Sequence, residues 1–263
     1  MEVNILMPVY NTRPSWIAQA INSIEDQTFE NWTLIILDDC STSKETISFL
    51  DSIKQPKIKV KKSDRNMGCD SIRVFGRKFL DGDCKFVFFM DSDDIMMPQR
   101  IEKQTSFLKK NKDIGIVGGQ MQYFPDRSGP FVNSKSTSIS NPLTAHPYNV
   151  NLFLFSSHWV INNPSTAMRR EVLDNFDFEY MQQIHKDLEI DTNVFGDAIF
   201  YCISALNGIK IRNLSDVILL YRSSSHQITN TIHHNPSMGG GLAKHKKLRN
   251  RLLRDSVDVS KQK

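Results

Sequence analysis

The stretch Phe86-Val-Phe-Phe-Met-Asp-Ser-Asp-Asp94 sets an apolar run directly against three carboxylates. Five apolar residues in succession describe a buried strand, and the carboxylates arrive where that strand should end. Side chains alternate along a strand, which would send Asp91 and Asp93 to one side and Asp94 to the other. Clustered carboxylates repel, and burying one without a partner is costly. A divalent cation resolves the conflict; hard oxygen ligands suit Mg²⁺ or Mn²⁺, ions that often also hold substrate phosphates. A solvated acidic turn, with one aspartate capping the next helix, accounts for the same residues. The stretch alone does not choose between the two.

Its neighbours place this strand fourth in a series. Val3–Val9, Thr33–Leu37 and Ile58–Lys61 read as the earlier strands, and Ile114–Gly118 as a fifth. Between them, Ser15–Gln27 puts Ile17, Ala20, Ile21 and Ile24 on one helical face, Lys44–Ile53 reads as a helix, and Ser71–Leu80 aligns Ile72, Phe75 and Phe79. Pro98 suits the first turn of a helix reaching Asn111. Strands alternating with helices imply an α/β fold with a largely parallel sheet covered on both faces. The second half is less regular. Residues 124–150 are rich in Ser, Asn and Pro and read as a long excursion. Val172–Phe178 and Asp197–Asn207 are partly helical in pattern, and Val217–Tyr221 is strand-like. We read one domain over residues 1–238, with a nucleotide-type half (1–120) and a mixed half that completes the pocket (121–238). Gly239-Gly240-Gly241 then breaks into a basic tail over 239–263.

The 263 residues are 40% hydrophobic, enough for a substantial core. A formal charge of +4 does not imply nucleic acid as a partner. Much of the excess lies in Lys244, His245, Lys246, Lys247, Arg249, Arg251 and Arg254, a basic helix or tail that is either a solvated face or a peripheral contact with anionic lipid or another polyanion. The start of the chain has neither the basic onset nor the apolar run of a signal peptide, and no stretch reaches the length of a membrane span. Cys40, Cys69, Cys84 and Cys202 show no paired metal spacing and no dense disulfide pattern. A reduced, cytoplasmic setting is expected.

In open α/β sheets, ligands bind beyond the carboxyl ends of the strands. Three such ends are polar here: Pro8-Val-Tyr-Asn-Thr12, Asp38-Asp-Cys-Ser-Thr42 and Asp91-Ser-Asp-Asp94. Asp39 could accept hydrogen bonds from a base or a ribose; as helix N-cap, Ser41 or Thr42 is better placed. The turn after the first strand has no glycine, which excludes a dinucleotide fingerprint, and no P-loop sequence occurs. Phosphate binding is therefore expected to run through a metal.

These residues, in this order, resemble the inverting family 2 glycosyltransferases of the GT-A fold. Ile5-Leu-Met-Pro-Val-Tyr-Asn11 resembles the opening strand, and Ser23-Ile24 with Gln27-Thr-Phe29 the end of the first helix. Leu37-Asp-Asp-Cys-Ser-Thr42 resembles the family's Asp-Asp-Gly-Ser-Thr, with Cys40 where glycine is usual. Asn66-Met-Gly68 with Arg73 and Gly76 resembles its Asn-x-Gly and Ala-Arg-Asn-x-Gly elements, with Val74 in place of the asparagine. Phe89-Met-Asp-Ser-Asp-Asp94 resembles its Asp-x-Asp-Asp. Thinner matches follow. Asn163-Pro-Ser-Thr-Ala-Met-Arg-Arg-Glu-Val-Leu173 resembles the acceptor side, Gly196-Asp197-Ala198 the place of the catalytic acid residue, and Tyr221-Arg-Ser-Ser-Ser-His226 a segment near the donor diphosphate, with unusual Arg222-to-His226 spacing.

The resemblance implies transfer of a sugar, with inversion, from a nucleoside diphosphate donor, with a lean to uridine, to a hydroxyl on a glycan, lipid-linked or protein acceptor. It implies Asp197 as the base. Asp93, supported by Asp91 and Asp94, would hold Mn²⁺ or Mg²⁺, with His226 either a further metal or phosphate ligand or a polar loop residue. Pro8, Tyr10, Asn11, Asp39, Asn66, Arg73, Asp91, Ser92 and Asp93 form the donor-binding set, in which Tyr10, Asp39 and Arg73 seat the base and ribose. Judged without the resemblance, Arg73 reads as a solvated helix residue. His158 and Trp159 either line the acceptor pocket or form a buried aromatic pair. Two rivals remain open: a nucleotidyltransferase that makes sugar nucleotides, and a non-catalytic sugar- or nucleotide-binding protein.

Overall fold

The computed structural model describes residues 1–125, 146–154, 160–189, 196–223 and 247–255. Four parallel strands form one side of the sheet: β1 (Val3–Val9), β2 (Trp32–Asp38), β3 (Ile58–Lys62) and β4 (Phe86–Phe89). The other side is mixed, built from β5 (Ile95–Met96), β6 (Ile114–Pro125), β7 (Ala167–Arg169) and β8 (Lys210–Ser223). The order across the sheet is β3-β2-β1-β4-β7-β6-β8-β5. β7 runs antiparallel to both β4 and β6, β8 runs parallel to β6, and β5 lies antiparallel on β8.

Both faces are covered, as the continuous apolar strands require. Alternation divides the core in two. Ile5, Met7, Leu34, Ile36 and Phe88 face the helices α1 (Pro14–Glu25) and α4 (Arg100–Lys110), meeting Ile17, Ile24, Ile101 and Leu108. Leu6, Ile35, Leu37, Val87 and Phe89 face the opposite layer. There they meet α3 (Cys69–Gly76), α7 (Phe178–Asp187) and α8 (Gly196–Leu206) through Ile72, Met181, Ile184, Ile199 and Ile203. Short helices α2 (Lys44–Ser52), α5 (Val150–Phe153) and α6 (Arg170–Asp174) complete the connections.

Several local differences from the sequence reading have plain causes. Pro14 takes the first position of α1, where its missing N–H costs nothing. Ser43, not Ser41 or Thr42, caps α2, because Ser41 and Thr42 are bonded to Asp38 and Asn11. β7 sits inside the segment that resembles the acceptor side; its three residues bridge the two sides of the sheet. β6 runs on past Gly118 by means of β-bulges that break the regular pattern.

Part of the basic tail is a docked helix. Residues 247–255 (α9) bury Leu248 and Leu252 in the α3–α7–α8 layer. Arg251 pairs with Asp187 of α7 at 2.8 Å and with Asp255 at 2.7 Å, and Tyr180 donates to Asp255 at 2.6 Å. The glycine break at 239–241, residues 244–246, and His158, Trp159 and His226 lie outside the described residues.

Cys40 has a positive φ of 62°. This is the left-handed region, which a β-carbon disfavours by roughly 1–2 kcal/mol, and it gives the physical reason for glycine in the pattern that Leu37–Thr42 resembles. Glycine also gains entropy in the unfolded chain, which offsets about 0.4–1 kcal/mol. Cys40→Gly is therefore expected to stabilise the fold by about 0.5–1 kcal/mol, read as a higher urea midpoint with an unchanged slope.

Candidate active site

The carboxyl ends of β1, β2 and β4 lie side by side, and short polar bonds lock their loops together. Thr12, beyond β1, bonds Ser92 beyond β4 at 2.8 Å. Asn11, itself at a φ of 53°, accepts from the backbone N–H groups of Thr42 and Ser43 at 2.8 Å each, while its own N–H donates to Ser41. Pro8 is buried within β1, and the Tyr10 ring stands half exposed at the strand's mouth.

Asp39 also has a structural use. Both of its carboxylate oxygens accept backbone bonds, from Met67 at 2.7 Å and Gly68 at 2.8 Å, and Asn66 donates to its carbonyl. Gly68 has a φ of 83°, so this turn needs glycine. Asp39 and Asn66 thus fix the entrance to α3. Burial raises the proton affinity of Asp39 despite these bonds.

The three aspartates after β4 do not follow strand alternation. β4 ends at Phe89, and the turn that follows brings ligand oxygens of Asp91, Asp93 and Asp94 within 4.8 Å of one another. Asp94 is fully buried. One of its oxygens accepts from the Arg222 N–H at 2.9 Å; the other has no hydrogen-bond partner. Burial, then the charges of Asp93 and Asp91, push its proton affinity well above the usual carboxylate range. Arg222 also holds the turn by donating to the Asp93 carbonyl at 2.6 Å. An unpartnered buried carboxylate oxygen facing two more carboxylates is a donor set of the kind that a hard divalent cation satisfies. The residues fit such an ion.

Arg73 is buried, contrary to a reading from helix position alone. One guanidinium nitrogen bonds Asp91 and another bonds Asp70 at 3.1 Å. Asp197 lies in the first turn of α8 and accepts from the Ala198 N–H at 2.7 Å. Burial, then the negative charge of Asp70, push its pKa up to about 8. Asp70 and Asp91 thus flank Arg73, and the Arg73 charge partly offsets the rise at Asp197. Asp70 did not stand out in the sequence; an acidic residue in a first helical turn is ordinary.

Residues 4–177, more than half of the chain, match the family described as glycosyl transferase family 2. Relatives include an uncharacterized glycosyltransferase of Methanocaldococcus jannaschii, 23% identical over 84% of this chain and 70% of its own length. Another is an Escherichia coli UDP-Glc:alpha-D-GlcNAc-diphosphoundecaprenol beta-1,3-glucosyltransferase, 32% identical over 49% of this chain and 50% of its own. The matched region is thus half the length of that enzyme. Two solved structures share the fold across 98% of this chain. They are Staphylococcus aureus TarS 1–349 in complex with UDP-GlcNAc (TM-score 0.59, 17% identity, 72% of that chain) and a Pyrobaculum calidifontis mannosyltransferase in complex with GDP-Man and Mn²⁺ (TM-score 0.61, 14% identity, 73%). No described helix is long and apolar enough to cross a membrane.

Proposed function

The chain belongs to glycosyl transferase family 2, and from that premise we propose that it is a metal-dependent, inverting glycosyltransferase. Its donor is a nucleoside diphosphate sugar, with UDP favoured, and its acceptor a hydroxyl on a glycan, a lipid-linked saccharide or a protein. The observation that carries this reading is the meeting of two acidic groups at one end of the sheet: the Asp91–Asp93–Asp94 turn, bonded through Arg73 to Asp70, and the Asp197 end of α8, which packs on Asp70 at Gly196.

In this reading Asp93, with Asp91 and Asp94 beside it, would hold Mn²⁺ or Mg²⁺, which when bound would supply positive charge against the leaving diphosphate. Arg73 fixes the Asp91 carboxylate. Ser92, tied to Thr12, holds the cation turn against the end of β1. The exposed Tyr10 ring stacks on the nucleobase. Asn11, Asn66 and Asp39 fix the loops on the donor side, Asp39 keeping acceptor capacity for the base or ribose, and Pro8 lies in the buried strand β1 beneath them. Asp197 takes the proton of the attacking hydroxyl. Its proton affinity, raised by burial and by Asp70, suits a base that must capture a proton from an alcohol near neutral pH. As the donor's sugar develops positive charge at its reacting carbon, nearby carboxylates stabilise it electrostatically.

A panel of nucleotide sugars, screened by thermal shift with and without Mn²⁺, tests the assignment. A ligand at a hundred times its Kd stabilises by about 2.7 kcal/mol. A nucleoside diphosphate sugar is expected to raise the Tm, and to do so far more with the cation present. Pyrophosphate release from a nucleoside triphosphate and a sugar phosphate would instead favour the nucleotidyltransferase.

A further inference from the structure

One buried carboxylate lies between the two halves of the proposed machinery without belonging to either. Asp70 stands in the first turn of α3, its side chain 14% exposed. One of its oxygens accepts from Arg73 at 3.1 Å and from the Asn163 side-chain amide at 3.0 Å. Arg73 carries the connection on to Asp91. In the other direction, Asn163 accepts from the Tyr201 hydroxyl at 2.7 Å, and Tyr201 sits one helical turn after Asp197 on α8. The second oxygen of Asp70 rests against the start of that same helix. A β-carbon added to Gly196 would lie 2.4 Å from it, so α8 approaches this closely only because residue 196 is glycine.

We propose that Asp70 is a positioning residue that locks the Asp197 end of α8 to Asp91, acting through Arg73 on one side and Asn163 and Tyr201 on the other. This rests on the reading of Asp197 as the base. The links run Tyr201–Asn163–Asp70–Arg73–Asp91, and all five side chains are buried or half-buried. Without Asp70, the Asn163 amide loses its acceptor, Arg73 keeps Asp91 alone, and the backbone at Gly196 loses the wall it packs on. The distance between an acceptor hydroxyl held at Asp197 and a donor held at Asp91 is then no longer fixed. Geometry of this kind acts on turnover, since small displacements of reacting groups cost large factors in rate.

The test compares Asp70→Ala, Asp70→Asn, Asn163→Ala, Tyr201→Phe and the double variant Asp70→Ala/Asn163→Ala, with folded protein confirmed by circular dichroism. Asp70→Ala, Asn163→Ala and Tyr201→Phe are each expected to lower kcat about tenfold or more, with donor KM within about threefold of wild type. Members of one chain do not add, so the double variant should be no slower than its slower parent. Asp70→Asn keeps an oxygen for Arg73 and Asn163, and should recover kcat to within about threefold. A purely packing role would lower the Tm but leave kcat per folded molecule unchanged. That result, or additive losses in the double variant, overturns the proposal. Should Asp70→Ala not fold, Tyr201→Phe against Asp70→Asn decides by the same kcat criterion. Asp197→Asn run in parallel separates the two readings. If it is inactive while the Asp70, Asn163 and Tyr201 variants keep wild-type kcat, only the positioning role falls. If it turns over normally, both fall.

Discussion

Asp197→Asn is expected to abolish sugar transfer while leaving donor binding largely intact. The two amino acids have the same shape, so α8 and its packing on Asp70 through Gly196 should survive. What disappears is the capacity to accept a proton. General-base catalysis contributes about 10²- to 10⁴-fold, and a loss in that range from kcat is the expected size. Calorimetry with a nucleoside diphosphate and Mn²⁺, beside a transfer assay, separates the two effects. Retention of full turnover would remove Asp197 from the mechanism.

The same residue makes pH a second probe. Burial, then Asp70, raise the Asp197 pKa from 3.8 to about 8. A base must be ionised to act, so activity should climb with pH, and the acid limb of kcat/KM should lie well above the ordinary carboxylate range. Stability runs the other way. Between 3.8 and about 8 the folded protein holds a proton that the unfolded chain has released, so this contribution is complete at low pH and is lost as pH rises through the folded value. Asp197→Asn removes both trends. A kcat/KM profile flat across about pH 5–9 would contradict the assignment.

The parallel half of the sheet was legible because its chemistry is local: β1, β2 and β4 are largely apolar runs, and each ends in polar residues that fall at the same edge. The mixed half was legible only in part: the helical pattern at Asp197–Asn207 and the strand at Val217–Tyr221 fall on α8 and β8. β7 is three residues long and is defined by its partners, β4 and β6, rather than by any pattern of its own. The helix in the basic tail was expected, but its docking was not, because only Leu248 and Leu252 mark the buried face of α9. In the site, carboxylate clusters showed in the sequence, but pairing did not. Arg73 reads as solvent-facing until Asp70 and Asp91 are seen beside it. The bonds from the Met67 and Gly68 amides to Asp39 leave no mark in the sequence. Contacts between residues 28 or 93 positions apart in the chain, such as Asp39 to Met67 and Asp70 to Asn163, leave no periodic trace.

Asp93→Ala is expected to remove the cation-dependent part of nucleotide binding, so that affinities measured with and without Mn²⁺ converge. The cluster explains why one substitution suffices. Asp91 is already held by Arg73, and Asp94 gives one oxygen to the Arg222 backbone. Two partly committed carboxylates are a poor cage for an ion that prefers six oxygen ligands in near-ideal geometry. Misfolding is distinguishable, because the substitution relieves repulsion. Asp93 helps push the buried Asp94 toward its protonated form, and without it the metal-free protein should be no less stable than wild type. The expected signature is therefore an unchanged or higher Tm in the absence of Mn²⁺, and loss of the Tm increase that Mn²⁺ with a nucleoside diphosphate gives to wild type. Equal nucleotide affinity with and without the metal in the wild-type protein would show that the three carboxylates serve some other end. The partnerless oxygen of Asp94 would then have to be satisfied by a proton rather than by an ion.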